Sequence, residues 1–228
     1  MSGIAGGTKS TREAFVRAFL ELRGKDRRHV FVSADSMLAA RAIPVRDKYP
    51  ESFFEVGICE QNAVAVAAGM AAGGLFPWVV TYAGFLAMRA CEQIRTFVAY
   101  PGLTVRFVGL NGGLLGGERE GVTHQFFEDV GILRSMPGVN VLAPADAGQA
   151  YHAAHAMAGI AGPSYLRLAS GREPEVFSGD TPFAFGKIRI VSDYGRDIAL
   201  FASGYLMNRA ICAAEALRAE GIRAVLAD

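Results

Sequence analysis

An uncharged stretch is the feature of this chain that most restricts its fold. No Asp, Glu, Lys or Arg occurs in residues 61–88, which directly follow Glu60. By length alone such a stretch is a candidate membrane span. Glycine and proline interrupt it, however, and its composition changes from Ala-rich to aromatic and β-branched. We therefore expect a helix, a turn and a strand that are buried in protein, with no membrane association.

Glu60 stands at the entrance to this stretch. Residues 53–56 (FFEV) have the composition of a strand, and residues 63–72 that of a buried helix. The carboxyl group should then lie in an apolar interior, where it is costly unless it is paired, hydrogen-bonded or protonated. The same conditions suit an acid/base catalyst. From the residues alone, Glu60 is either a satisfied structural acid or a catalyst.

Composition excludes several classes of protein. The chain has 228 residues, of which 51% are hydrophobic, so it can bury a sizeable core. Its net charge of +1 and the absence of a Lys/Arg run argue against nucleic-acid binding. Cys59, Cys91 and Cys212 form no C-x-x-C pair, which argues against a zinc site or a disulfide framework and fits a reducing cytoplasm. The first seven residues show no secretory signal pattern.

Helix and strand patterns alternate along most of the chain. Ser10 has capping-box spacing and opens a predicted helix that ends near residue 23. Further predicted helices are 60–72, 86–100, 126–134 and 147–159, and predicted strands are 29–33, a strand near Phe53, 76–82, 104–110, 140–143 and 164–168. This alternation predicts an α/β fold in which a parallel sheet has helices on both faces. Glu60, Tyr82, Asn111 and Arg167 fall near carboxyl ends of strands, where such sheets bind ligands.

The last quarter of the chain reads differently. Residues 171–186 have the composition of a linker, and beyond it strands 197–203 and 222–227 flank a helix at 206–220. Two parallel strands cannot make an independent core, so this βαβ unit is either a truncated second domain or docks on something else. The predicted organisation is a first domain at 1–170, a linker at 171–186 and a partial second domain at 187–228.

A set of short motifs resembles one known family. The motifs are SAD at 33–35, GICEQ at 57–61, TYAGFL at 81–86 followed by Arg89, GVTHQ at 121–125, PGVNVLAPAD at 137–146 and GPSYLR at 162–167. In this order and spacing they resemble the pyrimidine-binding domain of the transketolase family. The chain is especially similar to 1-deoxyxylulose-5-phosphate synthases and to the small subunits of split transketolases. The tail from Asp197 resembles the opening of the family's C-terminal domain.

The resemblance implies thiamine diphosphate chemistry. Glu60 would hydrogen-bond a ring nitrogen of the cofactor's aminopyrimidine and so favour the tautomer that takes up a proton. Tyr82 and Phe85 would form an aromatic wall against the ring, and Asp35 would be a further cofactor contact. Without the resemblance, ordinary core packing is favoured for the two aromatic residues, and a helix N-cap is equally open for Asp35.

The resemblance also implies a substrate site. His124 would contact a substrate hydroxyl or transfer a proton, because a neutral imidazole can donate and accept near pH 7. Glu120 takes the place of an Asp that accepts a substrate hydroxyl in the family. Asn111 and Ala39 depart from the family pattern, which has a stronger donor and a phosphate-binding serine at these places. The phosphate site is therefore altered, and the substrate can be a non-phosphorylated or unusual ketone.

Three arginines match phosphate contacts of the family, namely Arg12, Arg89 and Arg167. Guanidinium groups suit this task because their fork of donors matches phosphate oxygens. For Arg12 a helix-surface salt bridge, and for Arg167 a strand-end partner, are about equally favoured alternatives. His152 and His155 are spaced i and i+3 on a helix, but no third ligand is evident, so we expect a solvated face there and no metal site.

One expected motif is missing. In the family a Gly-Asp-Gly segment followed by Asn holds the diphosphate through Mg²⁺, and this chain contains no such segment. The resemblance then implies that a separate diphosphate-binding subunit holds thiamine diphosphate and Mg²⁺, in an α2β2 complex that acts on a ketose or a 2-oxoacid. Two alternatives stay open: a β subunit of a 2-oxoacid dehydrogenase and a non-catalytic partner. The TYAGF and THQ motifs favour transketolase, and Glu60 argues against a non-catalytic role.

Overall fold

The computed structural model describes residues 8–114, 120–177, 179, 181 and 183–228. The strands are β1 (Thr8–Lys9), β2 (His29–Ser33), β3 (Phe53–Glu55), β4 (Phe76–Tyr82), β5 (Arg106–Leu110), β6 (Asn140–Leu142), β7 (Ser164–Arg167), β8 (Glu173–Pro174), β9 (Ile190–Asp193), β10 (Ile198–Phe201) and β11 (Ala224–Ala227). The α-helices are α1 (Thr11–Lys25), α2 (Ile43–Lys48), α3 (Glu60–Ala72), α4 (Cys91–Gln93), α5 (Asp129–Arg134), α6 (Ala147–Ala158) and α7 (Met207–Ala219).

Six strands form one parallel sheet in the order β3-β2-β4-β5-β7-β6. This confirms the predicted fold class. Ser33 at the end of β2 lies opposite both Glu55 and Val80, and Tyr82 at the end of β4 lies opposite Leu110. The carboxyl ends of these strands therefore meet at one edge of the sheet, where parallel α/β sheets bind their ligands.

Helices cover both faces of this sheet. On one face α1 and α6 pack over a cluster of buried aromatic rings, in which Phe15 lies 5.8 Å from Trp78 and Phe19 lies 5.3 Å from Phe31 between ring centroids. On the other face α3 and α5 pack with the helical segment that follows β4. Burial on both sides explains why the strands read as continuous apolar runs.

The uncharged stretch folds as expected into α3, a turn and β4. Among the helices of the described residues, none has both the length and the hydropathy of a membrane span. The predicted helix at 86–100 is wound differently from an ordinary α-helix, because π-helical turns at Phe85–Arg89 and Ile94–Ala99 flank the short α4. Phe85 and Arg89, four residues apart, lie on the same side of this segment, where their side chains meet.

The amino ends of the strands bury two ionisable side chains. At the start of β5, Arg106 is fully buried and donates from Nε to the carbonyl of Met157 (3.1 Å) and from Nη2 to that of Ala158 (2.5 Å). It thereby caps the carboxyl end of α6, and burial lowers its pKa to about 10. His29 accepts a hydrogen bond from Trp78 Nε1 (3.0 Å) through Nδ1, and burial lowers its pKa to about 4.

The tail contains one more strand than the sequence predicts. β10 and β11 are parallel, as expected, but β9 pairs antiparallel with the other side of β11. The unit is therefore a three-stranded sheet with α7 and not a simple βαβ unit. β9 is short and partly exposed, so it lacks the apolar run that marks a buried parallel strand.

Both the predicted linker (171–186) and the partial second domain (187–228) contact the first domain near the amino end of α6. The Asp146 carboxylate accepts hydrogen bonds from the backbone N–H groups of Val176 (3.0 Å) and Phe177 (2.7 Å). Gln149 Nε2 donates to the Asp228 side chain (2.7 Å). Earlier in the predicted linker, β8 pairs antiparallel with β1. This stretch of the linker is therefore attached to the first domain.

Candidate active site

Glu60 is the first residue of α3 and is only 3% exposed, as its sequence context predicts. Among the described residues, its side-chain partner is Arg89, whose Nη1 lies 3.2 Å from Oε2 and 3.3 Å from Oε1. The Arg89 side chain is 50% exposed. A buried carboxylate at the positive end of a helix is thus paired with a cation that solvent can reach.

Four rings lie beside this pair, and we call them the aromatic cluster: Tyr82, Phe85, His124 and Phe126. The His124 ring meets Tyr82 (4.9 Å) and Phe85 (5.0 Å) edge to face, and Phe126 lies 5.3 Å from Phe85. The guanidinium carbon of Arg89 lies 4.0 Å from the centre of the Phe85 ring. Continuous contacts therefore connect the buried carboxylate to His124. The structure thus brings together five residues of the predicted site (Glu60, Tyr82, Phe85, Arg89 and His124) and adds Phe126, which was not predicted.

The segment that carries His124 is held tightly against β4. His124 ends a short 3-10 turn, and its Nδ1 lies 3.0 Å from Thr123 Oγ1. The Phe126 ring lies directly over Gly84, so that a Cβ atom at Gly84 would overlap the ring. The backbone N–H of Gly113 also donates to the Phe126 carbonyl (2.5 Å). The glycine at position 84 is therefore what lets the Phe126 ring, two residues after His124, pack against the backbone that follows β4.

A buried carboxylate that sequence analysis missed supports this segment. Asp129 is fully buried at the start of α5 and accepts hydrogen bonds from Tyr165 Oη (2.6 Å), Arg167 Nε (2.9 Å) and Arg167 Nη2 (2.9 Å). Arg167 Nη2 also lies 3.3 Å from the Phe126 carbonyl, and burial raises the pKa of Tyr165 well above its usual value. For Arg167 the structure thus shows the strand-end partner that was the alternative to a phosphate contact.

The signal for Asp129 was present in the sequence. Like Glu60, it is an acidic residue within a predicted helix and close to apolar residues, here Phe126 and Phe127. Tyr165 offered no comparable signal, because a tyrosine within an apolar strand is most often ordinary core.

Arg12 is buried and not part of a surface salt bridge, so that alternative is wrong. Its Nη1 donates to the carbonyl of Ala39 (2.9 Å), and its Nη2 donates to the carbonyl of Ala169 (3.2 Å) and to Asn111 Oδ1. Burial lowers the pKa of the guanidinium. Arg12 therefore joins the loops that follow β2, β5 and β7. Asn111, also buried, adopts a left-handed backbone with φ of 55°.

Asp35 lies in the loop after β2 and is not a helix N-cap, because α2 begins at Ile43 with Ala42 as its N-cap. Its backbone has φ of 47°, and its N–H donates to Glu55 Oε1 (2.6 Å). The same oxygen accepts the N–H of Gly57 (3.1 Å). Glu55, which sequence analysis passed over, thus ties the Asp35 loop to the loop that leads into α3.

Glu120 is exposed. It directly follows residues 115–119, which lie outside the described residues. Burial raises the pKa of the Tyr82 hydroxyl, and the negative charges of Glu120 and Asp35 add to this, while Arg12 opposes it. Of the residues that the sequence assigned to the site, Glu60, Arg89, Tyr82, Phe85 and His124 form one contacting group, and Arg12 and Asn111 form a second.

The two histidines of α6 face the protein more than expected. Both rings are half-buried: His152 Nε2 lies 2.9 Å from the Gly179 carbonyl, in an exposed contact, and His155 Nε2 lies 3.2 Å from Glu21 Oε2. Within the described residues, no cluster of three or more His, Cys, Asp or Glu side chains is placed to hold a metal ion. The three cysteines have free thiols.

Residues 7–172 match the family model described as the transketolase pyrimidine-binding domain. The chain belongs to this family. Membership implies the use of thiamine diphosphate, and the pyrimidine-binding domain spans the six-stranded sheet and every residue of the candidate site.

The relatives agree with this assignment. The domain and its tail are 35% identical over 213 residues to a 6-deoxy-6-sulfo-D-fructose transketolase subunit of Clostridium sp. (strain MSTE9), covering 93% of this chain and 66% of the relative. They are 36% identical over 225 residues to a 1-deoxy-D-xylulose-5-phosphate synthase of Anaeromyxobacter sp. (strain K), covering 97% of this chain and 35% of the relative. The chain thus spans about two thirds of the first relative and about one third of the second.

A solved structure shows the same fold. A split-gene transketolase, described as an inactive beta4 tetramer, superposes with a TM-score of 0.87 at 37% identity, covering 97% of this chain and 72% of that chain. These relatives support the resemblance to split transketolases and to the deoxyxylulose-phosphate synthases. They do not favour the alternative of a 2-oxoacid dehydrogenase β subunit.

Proposed function

We propose that this chain is one subunit of a thiamine-diphosphate-dependent, transketolase-like transferase that moves a two-carbon ketol or acyl unit. In this enzyme the chain supplies the glutamate that activates the aminopyrimidine. The observation that carries the proposal is the buried carboxylate of Glu60. It lies at the carboxyl edge of a parallel sheet, beside an aromatic cluster, and its partner Arg89 is half-exposed.

The residues fit an aminopyrimidine ring. A ring nitrogen needs one hydrogen-bonding group held away from water, which Glu60 provides, and the flat faces of the ring need aromatic contacts, which Tyr82 and Phe85 provide. Asp35 is proposed as a further cofactor contact. Thiamine diphosphate supplies stabilisation of a carbanion when bound. Glu60 holds the hydrogen bond that governs proton exchange at the ring nitrogen.

Residues around the ring would handle the substrate. We assign proton transfer at a substrate hydroxyl to His124, which already lies against Tyr82 and Phe85. Glu120 and Asn111 are proposed hydroxyl contacts. Of the three arginines assigned to the site, Arg89 is the half-exposed one and suits direct contact with a substrate anion.

Arg12 and Arg167 are held more firmly by the protein. We propose that their positive charges attract a substrate phosphate to the carboxyl edge of the sheet. Arg12 Nε is buried and lacks a hydrogen-bond partner among the described residues, so an anion that reached it would satisfy a donor that the protein leaves unpaired. Arg167 keeps a side-chain exposure of 24% beside its Asp129 partner.

A second chain completes this site in our proposal. It carries the diphosphate-binding domain and holds the diphosphate and Mg²⁺, in an α2β2 complex. Support comes from the split transketolase subunits among the relatives and from the surface around Glu60, where Ile58 is 73% exposed and Met88 is 51% exposed. The exposed residues of α3 carry no charge, as in the centre of a protein interface; they are Gln61, Asn62, Gly69 and Ala72. The free cysteines support a location in the cytoplasm.

The test mixes this chain with candidate diphosphate-binding subunits, thiamine diphosphate and Mg²⁺, and follows turnover on a panel of ketoses and 2-oxoacids. Glu60→Gln should lower turnover by about 10²- to 10⁴-fold, because it removes the acid/base group. The matched control is Glu92→Gln, which changes an exposed glutamate near the site and should leave turnover unaltered.

Two results would contradict the proposal. Full turnover by the Glu60→Gln variant would remove the catalytic assignment. Tight cofactor binding and turnover by the isolated chain would remove the need for a partner. Activity on 2-oxoacids with a lipoyl acceptor, and none on ketoses, would favour the dehydrogenase alternative.

A further inference from the structure

The two side chains of the Glu60–Arg89 pair differ in their exposure to solvent. Glu60 is almost completely buried, whereas half of the Arg89 side chain is exposed. One nitrogen of Arg89 contacts both carboxylate oxygens, at 3.2 and 3.3 Å. Both oxygens that could bond a ring nitrogen are thus already engaged by the arginine.

A partner for this carboxylate is needed in the cofactor-free chain. An ionised carboxylate loses its hydration when it is buried, and only a charge or hydrogen bonds can offset that cost. Within the described residues, Arg89 is the group that does so. An aminopyrimidine ring that bonded Glu60 would take over this task and would compete with the guanidinium for the same atoms.

Arg89 has a favourable contact that does not involve Glu60. Its guanidinium carbon already lies 4.0 Å from the centre of one face of the Phe85 ring, which stabilises the cation without a carboxylate and leaves the opposite face of Phe85 for the aminopyrimidine. The exposed half of the side chain opens to solvent. Withdrawal of Arg89 from Glu60 therefore leaves the guanidinium neither buried nor without a favourable contact.

We propose that Arg89 is a place-holder for the aminopyrimidine: it pairs with Glu60 while the cofactor is absent and withdraws when the ring bonds the carboxylate. The inference rests on the proposed function. It adds a positioning residue that opposes cofactor binding. Because the pair exists only in the cofactor-free chain, its free energy is subtracted from the free energy of cofactor binding. Removal of Arg89 should therefore increase cofactor affinity by the corresponding factor.

The first measurement needs no cofactor. Thermal unfolding of the isolated chain is compared for wild type, Arg89→Gln, Glu60→Gln and the double variant. Arg89→Gln should lower the Tm by roughly 3–10 °C because it leaves a buried carboxylate unpaired. Glu60→Gln in the same chain should restore most of that loss. Arg95→Gln, an exposed arginine on the same helical segment, should leave the Tm unchanged.

The second measurement is calorimetric titration of the assembled complex with thiamine diphosphate in the presence of Mg²⁺. Arg89→Gln should bind about 5- to 50-fold more tightly than wild type. Arg89→Lys should fall between them, because a lysine keeps the charge without the fork. Arg95→Gln should match wild type.

The outcomes separate this inference from the proposed function. Equal or weaker cofactor binding by Arg89→Gln would overturn the place-holder and leave the cofactor assignment intact. The same holds if the unfolding data show no coupling between the two residues. A complex that binds no thiamine diphosphate would overturn both proposals, whatever the unfolding data show.

Discussion

The two edges of the six-stranded sheet each bury a charged side chain, Arg106 at one and Glu60 at the other, and the partners of these two side chains differ. At the amino edge Arg106 donates to two carbonyls at the end of α6. Those partners belong to the backbone and cannot leave. At the carboxyl edge, one of the buried charges is that of Glu60, and its partner is the half-exposed side chain of Arg89. A buried ionisable group thus indicates a binding site when its partner can be replaced, and a structural role when it cannot.

The same contrast holds for the neighbouring residues. His29 at the amino edge accepts its hydrogen bond from the buried Trp78 ring. His124 at the carboxyl edge is in contact with Tyr82 and Phe85, and its turn is reachable from solvent. Substitutions at the amino edge should therefore change stability alone, whereas substitutions at the carboxyl edge should also change cofactor binding or turnover.

The largest effect is expected at Asp129. Asp129→Asn removes the charge that pairs Arg167 inside the protein, so the free energy of unfolding should fall by about 3–5 kcal/mol. Turnover of the assembled complex should fall as well, because Arg167 contacts the segment that carries His124. Urea unfolding and steady-state kinetics measure the two effects.

Tyr165→Phe is the matched control for Asp129→Asn, since it removes one hydrogen bond to the same carboxylate and should cost about 1 kcal/mol. If Asp129→Asn proved no more costly than Tyr165→Phe, the carboxylate would not be pairing the arginine. Unchanged kinetics would mean that this part of the carboxyl edge is only structural.

The next effect is a pH dependence at the amino edge. The pKa of His29 is about 4 in the folded chain, against an ordinary value of 6.5. Between these pH values the unfolded chain binds a proton that the folded chain does not. The free energy of unfolding should therefore fall as pH is lowered from about 6.5 towards 4, by about 3 kcal/mol in total.

Urea unfolding over this pH range, compared between wild type and His29→Asn, isolates the contribution of His29. The variant keeps an acceptor for Trp78 but cannot titrate, so its stability should depend less on pH. Identical pH profiles would show that the imidazole does not titrate in the way that its burial implies.

The smallest effect is expected at Arg106. Arg106→Met leaves the last carbonyls of α6 without their donor and should cost about 2 kcal/mol. Cofactor affinity of the assembled complex should not change. The exposed Arg134→Met serves as control and should change neither quantity. Weaker cofactor binding by Arg106→Met would contradict the expectation that substitutions at the amino edge change stability alone.

Local patterns in the sequence predicted much of this structure. The alternation of helices and strands gave the parallel sheet, and the uncharged stretch after Glu60 gave the burial of its carboxylate. The aromatic residues beside it came from the family resemblance. Each of these signals is contained in a short run of residues.

Contacts between distant residues were not predictable in the same way. Arg12 bonds Asn111 and Ala169, which lie 99 and 157 residues further along the chain, and no local period encodes such a pairing. The network around Asp129 likewise needs β7 to lie beside α5. The antiparallel β9 was missed because a short edge strand is not buried on both faces.

The hydrogen bonds of Glu173 set the minimum length of a fragment that contains the first domain. Its carboxylate is buried and accepts the backbone N–H groups of Thr11 (3.2 Å) and Gly171 (2.6 Å), so it holds the start of α1. Its charge also raises the pKa of Arg12, against the effect of burial. A fragment that stopped at residue 170 would lack this anchor. For expression or crystallisation of the pyrimidine-binding domain by itself, the boundary belongs after Pro174.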